Sequence, residues 1–248
     1  MASHEGRFIW REQISTDVER SKAFYGELFN WTFKAMPMPG MDYVIIEADG
    51  NGIGGLMAPP PEAPPMSFWG TYLSVADVDA ATAKAATLGG HVHVPPTDIP
   101  TVGRFSFVVD PQGAALYLFK PQGPDETPAM GRPAPFTFCW ETLNTSDPTA
   151  ASAFYTQVAP WTSSSFNGMA TLNAESGPVA DVQAAPPGVP PHWLLFVAVP
   201  SLSDRRDAAA RLGATVIMPE IDVPGVGKIA VIQDPVGAYL GLFEPGMD

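Results

Sequence analysis

Apolar and polar positions alternate from Phe8 to Ser15, placing Phe8, Trp10, Glu12 and Ile14 on one face of a strand. The pattern then changes period. Asp17 suits a helix N-cap, Glu19 suits the positive helix end, and Ala23, Phe24, Leu28, Phe29 and Trp31 follow helical spacing. Met41 to Glu47 and Gly52 to Met57 read as short strands. The same succession starts again with a strand from Phe68 to Val75 and an Ala-rich helix from Val78 to Leu88, closed by Gly89 and Gly90. Strands are predicted over His91 to Val94, Arg104 to Val109 and Ala115 to Phe119, the last two joined by the turn Asp110-Pro111-Gln112-Gly113. Each half reads β-α-β-β(-β).

The whole pattern is duplicated. Trp10, Asp17, Tyr25 and Trp31 return 130 positions later as Trp140, Asp147, Tyr155 and Trp161. Asp98, Gly103, Asp110, Gly113 and Phe119 return 124 positions later as Asp222, Gly227, Asp234, Gly237 and Phe243. The second copy is therefore six residues shorter in its middle. Residues 1–121 form one expected domain and 136–248 the other. The Pro- and Gly-rich stretch 122–135 lacks apolar periodicity and reads as a linker.

Composition narrows the function. The chain has 248 residues, 46% hydrophobic and 16% charged, as expected of folded domains with real cores. A net charge of −13 repels phosphate backbones and anionic lipid, so nucleic acid and membrane are not expected partners. The single cysteine, Cys139, permits no internal disulfide and no multi-cysteine metal site, and reads as a small buried hydrophobe. No apolar run reaches membrane-spanning length, and MASHEGRFIW lacks a signal-peptide pattern, so the expected location is the cytoplasm.

A doubled β-α-β-β-β half, a first strand ending in Thr/Ser-Asp, Ala-Phe-Tyr on the next helix and Asp-Pro-x-Gly before the closing strand resemble the vicinal-oxygen-chelate (glyoxalase/bleomycin-resistance) superfamily. The resemblance implies an α+β fold of tandem domains, each of two βαβββ modules whose sheets curl around a cavity. It also implies a divalent metal held by His or Gln seven residues before the capping Asp and by Glu seven residues after the turn Asp. Here those positions hold Trp10, Trp140, Tyr117 and Gly241. The remaining family positions fall on Gly70 and Leu194, and on Gly54 or Gly55, with Glu175 a candidate of unfixed register in the second copy. No family-type metal centre and no cofactor are expected; a divalent metal would need other ligands.

The candidate residues each carry two readings. Trp10 and Trp140 are an aromatic wall for a flat ligand or filling for the vacated metal space. Tyr117 joins that lining. Trp69 and Trp193 are ligand contacts or core packing at the module junction. Glu12 is a buried general base, in the first copy only because Thr142 replaces it in the second, or a structural acid. His192 is a ligand contact or a structural histidine. His91 and His93 have two-ligand spacing but lack counterparts in the second copy. Asp98 with Arg104, and Asp222 with Lys228, grip an anionic group or fix a loop. Three functions follow: a metal-free protein binding a small apolar or aromatic molecule, a lyase or isomerase acting on a small oxygenated substrate, and a protein-interaction module. Internal duplication makes a monomer, or at most a weak homodimer, the expected state.

Overall fold

The computed structural model describes residues 5–38, 40–123 and 132–246. Four modules follow one another. The first comprises β1 (Phe8–Ile14), α1 (Val18–Phe29), β2 (Thr32–Met38), β3 (Met41–Ala48) and β4 (Asn51–Met57). The second comprises β5 (Phe68–Ser74), α2 (Val78–Thr87), β6 (His91–Ile99), β7 (Gly103–Val109) and β8 (Ala115–Pro121). The third comprises β9 (Phe138–Thr145), α3 (Pro148–Val158), β10 (Thr162–Phe166), β11 (Met169–Ala174) and β12 (Gly177–Ala184). The fourth comprises β13 (His192–Ala198), α4 (Leu202–Arg211), β14 (Thr215–Val223), β15 (Gly227–Gln233) and β16 (Tyr239–Pro245).

The strands form two eight-stranded sheets in the orders β2-β3-β4-β1-β5-β8-β7-β6 and β10-β11-β12-β9-β13-β16-β15-β14. Each sheet belongs to one sequence copy and remains open, with β2 and β6, or β10 and β14, at its edges. Of the linker reading over 122–135, residues 124–131 lie outside the described residues. No helix among the described residues is long and apolar enough to cross a membrane.

Local chemistry sets the boundaries. Asp17, Asp77 and Asp147 each accept the backbone N–H three residues on, at 3.0, 3.0 and 2.9 Å, and so start their helices. Asn30 in the left-handed region (φ 58) ends α1, which puts Trp31 beyond the helix rather than on it. The turn carboxylate Asp110 accepts from the N–H groups of Gln112, Gly113 and Ala114. Asp234 accepts likewise from Val236 and Ala238.

Two strands exceed the sequence reading. β2, to which the pattern assigned no residues, is a largely exposed edge strand paired from Thr32↔Glu47 to Met38↔Met41, so no buried face imposes alternation on it. β6 continues past Val94 to Ile99 through Pro95 and Pro96. An edge strand tolerates the missing N–H groups, and its register shifts between Val94 and Thr97.

The compact units do not follow the copies. Among the described residues, one unit contains 5–9, 70–123 and 141–193; the other contains 10–38, 40–69, 132–140 and 194–246. In the first unit, Leu73, Leu116 and Leu118 from the first copy share a core with Leu143, Tyr155 and Leu172 from the second. In the second unit, Tyr25, Leu28 and Ile46 share a core with Leu195, Ile232 and Leu242. Each unit is thus one half of each copy, and each hides its own set of large apolar side chains from water.

Candidate functional site

In the second unit, β1 and β4 run parallel with Glu12 opposite Gly55. Glu12 is buried. Tyr43 reaches from β3 across β4, and its hydroxyl accepts the Trp10 indole N–H at 2.9 Å. A Cβ on Gly55 would stand 1.9 Å from the Tyr43 hydroxyl oxygen and 3.2 Å from Trp10 Nε1. Gly54 is equally obligatory, because its Cβ would lie 2.6 Å from the Arg11 carbonyl oxygen. Gly55 lets tyrosine and tryptophan meet over β4, while Gly54 admits the close approach of the Arg11 backbone.

The same unit carries the aromatic face of β9, β13 and β16. Leu194, Phe196 and Val231 form a buried cluster against which Cys139, Trp140, Met218, Ile229 and Phe243 pack. Phe196 lies opposite Gly241 and covers it; a Cβ there would sit 2.2 Å from the ring. Cys139 is half-buried rather than fully buried as expected, and its thiol donates to the Phe196 carbonyl at 3.4 Å.

In the first unit, Tyr117 is the middle ring of a stack. Tyr72 lies parallel to it at 4.2 Å and 5°, and Phe107, its cross-strand partner on β7, lies at 4.5 Å and 28° on the other side. Phe119 meets Tyr72 edge-on at 5.7 Å. Offset rings of this kind gain contact energy beyond simple burial.

The first unit also holds a polar row on β9, β12 and β13. Thr142 donates to Asp181 at 2.7 Å, and Gln183 donates its amide N–H to Asn144 at 2.9 Å. Asn144 meets His192 Nε2 at 3.4 Å, while His192 Nδ1 meets the Pro190 carbonyl at 2.8 Å. Asp181 pairs with Thr142 as Gly55 pairs with Glu12. The carboxylate absent from Thr142 therefore reappears on the neighbouring strand. Sequence reasoning missed it, because only the strand register equates Asp181 with Gly55. Glu175, the sequence candidate for that role, instead sits in the exposed turn before β12.

Trp69 and Trp193 belong to the two cores. Trp69 donates to the Tyr25 hydroxyl at 2.9 Å and Trp193 to the Tyr155 hydroxyl at 3.1 Å. Burial, followed by the neighbouring carboxylate charge, pushes both tyrosines well above the ordinary phenol range. Tyr25 donates to Asp234 Oδ2 at 2.7 Å, and Gln13 donates to the same oxygen at 2.7 Å. In the first unit Leu143 takes the place of Gln13, so Asp110 lacks that amide donor, and its Oδ2 forms no well-aligned hydrogen bond although the Tyr155 hydroxyl and its carboxylate interact. Burial raises the carboxyl pKa of both Asp110 and Asp234 against the opposing pull of their donors.

The charged loop candidates are surface ties. Arg104 bridges Asp79 at 2.7 Å and Asp98 at 2.8 Å, and Asp79 is held below the usual carboxylate range by that hydrogen bond. Lys228 pairs with Glu220 at 3.0 Å, although Asp222 is its cross-strand neighbour. His91 and His93 are exposed on the edge strand β6, ring edge against ring face at 4.5 Å.

Residues 8–118 match the Glyoxalase/Bleomycin resistance protein/Dioxygenase superfamily. A provisionally named glyoxylase, CFP32 of Mycobacterium tuberculosis (strain CDC 1551 / Oshkosh), is 35% identical over 97% of this chain and 95% of its own. The chain belongs to the glyoxalase/bleomycin resistance/dioxygenase superfamily. The anthracycline biosynthesis protein DnrV of Streptomyces peucetius is 28% identical over 96% of this chain and 93% of its own. The Mn(II)-bound glyoxalase of Novosphingobium aromaticivorans shares the fold, with a TM-score of 0.65 at 16% identity, covering 98% of this chain and 83% of that one.

Members of this superfamily would hold a metal at four positions per sheet. In the first sheet these are Trp10, Gly55, Gly70 and Tyr117; in the second they are Trp140, Asp181, Leu194 and Gly241. One carboxylate among eight residues is no chelate for a divalent ion. The space a longer residue 55 would use is filled by Tyr43, and that of residue 241 by Phe196. Among the described residues no three His, Cys, Asp or Glu side chains cluster to hold a metal. The residues present do not fit the superfamily's metal centre.

Proposed function

We propose that the protein binds a small apolar or aromatic molecule against its aromatic sheet faces, without a superfamily-type metal centre. The observation carrying this reading is the conversion of metal positions into ring surfaces: Tyr43 seated on Gly55 and Phe196 seated on Gly241. Aromatic faces stack flat ligands and fix them with few polar contacts. The 28% identity to a protein named for anthracycline biosynthesis supports a flat, oxygenated ring system as the ligand class. Native mass spectrometry of untagged protein, with elemental analysis of the same sample, tests this. An organic adduct on protein free of metal is the expected result. A stoichiometric divalent metal would overturn it.

Buried Glu12, opposite Gly55, favours a second reading. A carboxylate at that place suits proton abstraction beside a carbonyl in lyase or isomerase chemistry. The mycobacterial relative named as a glyoxylase supports the same class. Under this reading Glu12→Gln abolishes turnover of a small oxygenated substrate while leaving its binding within a fewfold; equal activity of the two proteins would remove Glu12 from the chemistry.

A further inference from the structure

His91 and His93 take no part in the sites described above. Both are exposed on the edge strand β6, two residues apart and within one compact unit. Their rings meet edge to face with 4.5 Å between centroids, and His93 leans on Phe107 at 5.8 Å. Among the described residues neither ring makes a hydrogen bond or an ion pair. Their nitrogens are therefore left for a ligand. The fold does not ask for these imidazoles. The matching strand of the second copy, β14, carries Thr215 and Ile217 at the same places. Both strands pair with their neighbour through the same irregularity, between Val92 and Val94 and between Val216 and Met218. A bulge of this kind re-aims a side chain, and it forms here with or without histidine.

Imidazole nitrogen is a donor that zinc, copper and nickel ions favour. Two such nitrogens on one ion sit about 3 Å apart, given metal–nitrogen bonds of about 2 Å. Exposed rings already 4.5 Å apart need only side-chain rotation to reach that spacing. The strand fixes both backbones beforehand, so gathering the two ligands costs little further entropy. The net charge of −13 draws cations toward the molecule.

We infer that His91 and His93 together form a surface site for a divalent zinc, copper or nickel ion, with water completing the ion's shell. The site uses none of the superfamily's metal positions and needs no third protein ligand. It also stands apart from the aromatic-ligand reading. Two exposed donors give up their ion to a chelator, so the site is an exchangeable one, filled when the metal is supplied. The second copy, with Thr215 and Ile217, has no such pair.

The test is calorimetric titration of Zn(II) into untagged, full-length protein that has been washed with EDTA and then freed of it. His91→Thr and His93→Ile install the second copy's own residues at exposed positions. Wild type is expected to bind one equivalent that each single variant binds at least about tenfold more weakly. The double variant should be no worse than either single one, because a chelate fails once one arm is lost. Mg(II), which seeks oxygen ligands, should not distinguish the four proteins. Zn(II) uptake that is absent from wild type, or equal in wild type and variants, overturns the inference. So does a partial loss in each single variant that adds up in the double, the pattern of two histidines acting independently.

Discussion

The Tyr25 hydroxyl donates to Asp234 Oδ2 at 2.7 Å across 209 positions of sequence, joining the first helix of one copy to the last turn of the other. The same tyrosine accepts from Trp69, so its oxygen closes a buried chain of tryptophan, tyrosine and carboxylate. Tyr25→Phe breaks both bonds at a fully buried position. The expected cost is about 1–3 kcal/mol, read from the urea midpoint. Tyr155→Phe should cost less, because Asp110 Oδ2 forms no well-aligned hydrogen bond of the kind that Tyr25 gives Asp234. Equal costs would contradict the difference between the units.

Gln13 and Leu143 occupy matched positions facing Asp234 and Asp110. Gln13→Leu removes one of the two donors to a buried carboxylate and should destabilise by about 1–3 kcal/mol. Leu143→Gln introduces a donor where Asp110 lacks one. Its stability should match or exceed wild type, whereas an ordinary polar substitution at a buried leucine is costly. Thermal melts of both variants check the pair.

The pH dependence follows from burial of the two turn carboxyls. Both Asp110 and Asp234 have pKa values raised in the folded protein. A raised pKa means that the folded state binds the proton more tightly. The contribution is fully present below the ordinary aspartate value of about 4 and is lost as pH rises through the higher folded values. Asp110→Asn and Asp234→Asn keep the acceptor oxygen for the turn but remove the titration. Relative to either variant, wild type should therefore lose stability on going from pH 4 to 7. A constant difference across that range would rule the mechanism out; denaturant unfolding at stepped pH measures it.

Gly55→Ala places a methyl group where the Tyr43 hydroxyl lies. The ring must move, the Trp10–Tyr43 hydrogen bond must break, and overpacking should cost about 1–3 kcal/mol. Tryptophan fluorescence should change with it, since the Trp10 indole loses its 2.9 Å partner. Unchanged emission and stability would mean that Tyr43 does not need the glycine.

Much of the fold was legible in the chain. Apolar spacing marks the helices, Asp17 and Asp147 mark their starts, and the Asp-Pro-x-Gly turns mark the closing hairpins. The edge strand β2 was not, because a strand exposed on both faces leaves no alternating record. Facing was read only in part. Phe8 shares parity with Trp10 and Glu12, yet its ring packs beside Trp161 and Trp193 at 5.5 and 5.3 Å. The loss of metal ligands at Trp10, Tyr117 and Gly241 needed only spacing. The Asp181 position needed the parallel pairing of β12 with β9, and a register shift between Leu172 and Asn173 lies just upstream. No single sequence encodes cross-strand partners. The same limit hid Tyr43, which reaches its place over Gly55 from a neighbouring strand.

The mixed parentage of the compact units constrains how such a gene can change. Neither repeat encodes a complete interior, so losing either repeat would not leave a working half behind; it would open both units at once. A chain severed between β8 and β9 should instead yield two fragments that are individually incomplete and mutually complementary, each the missing template for the other. The duplication survives as an obligate marriage of halves, and the repeats are free to diverge in surface chemistry only while their shared interiors stay matched.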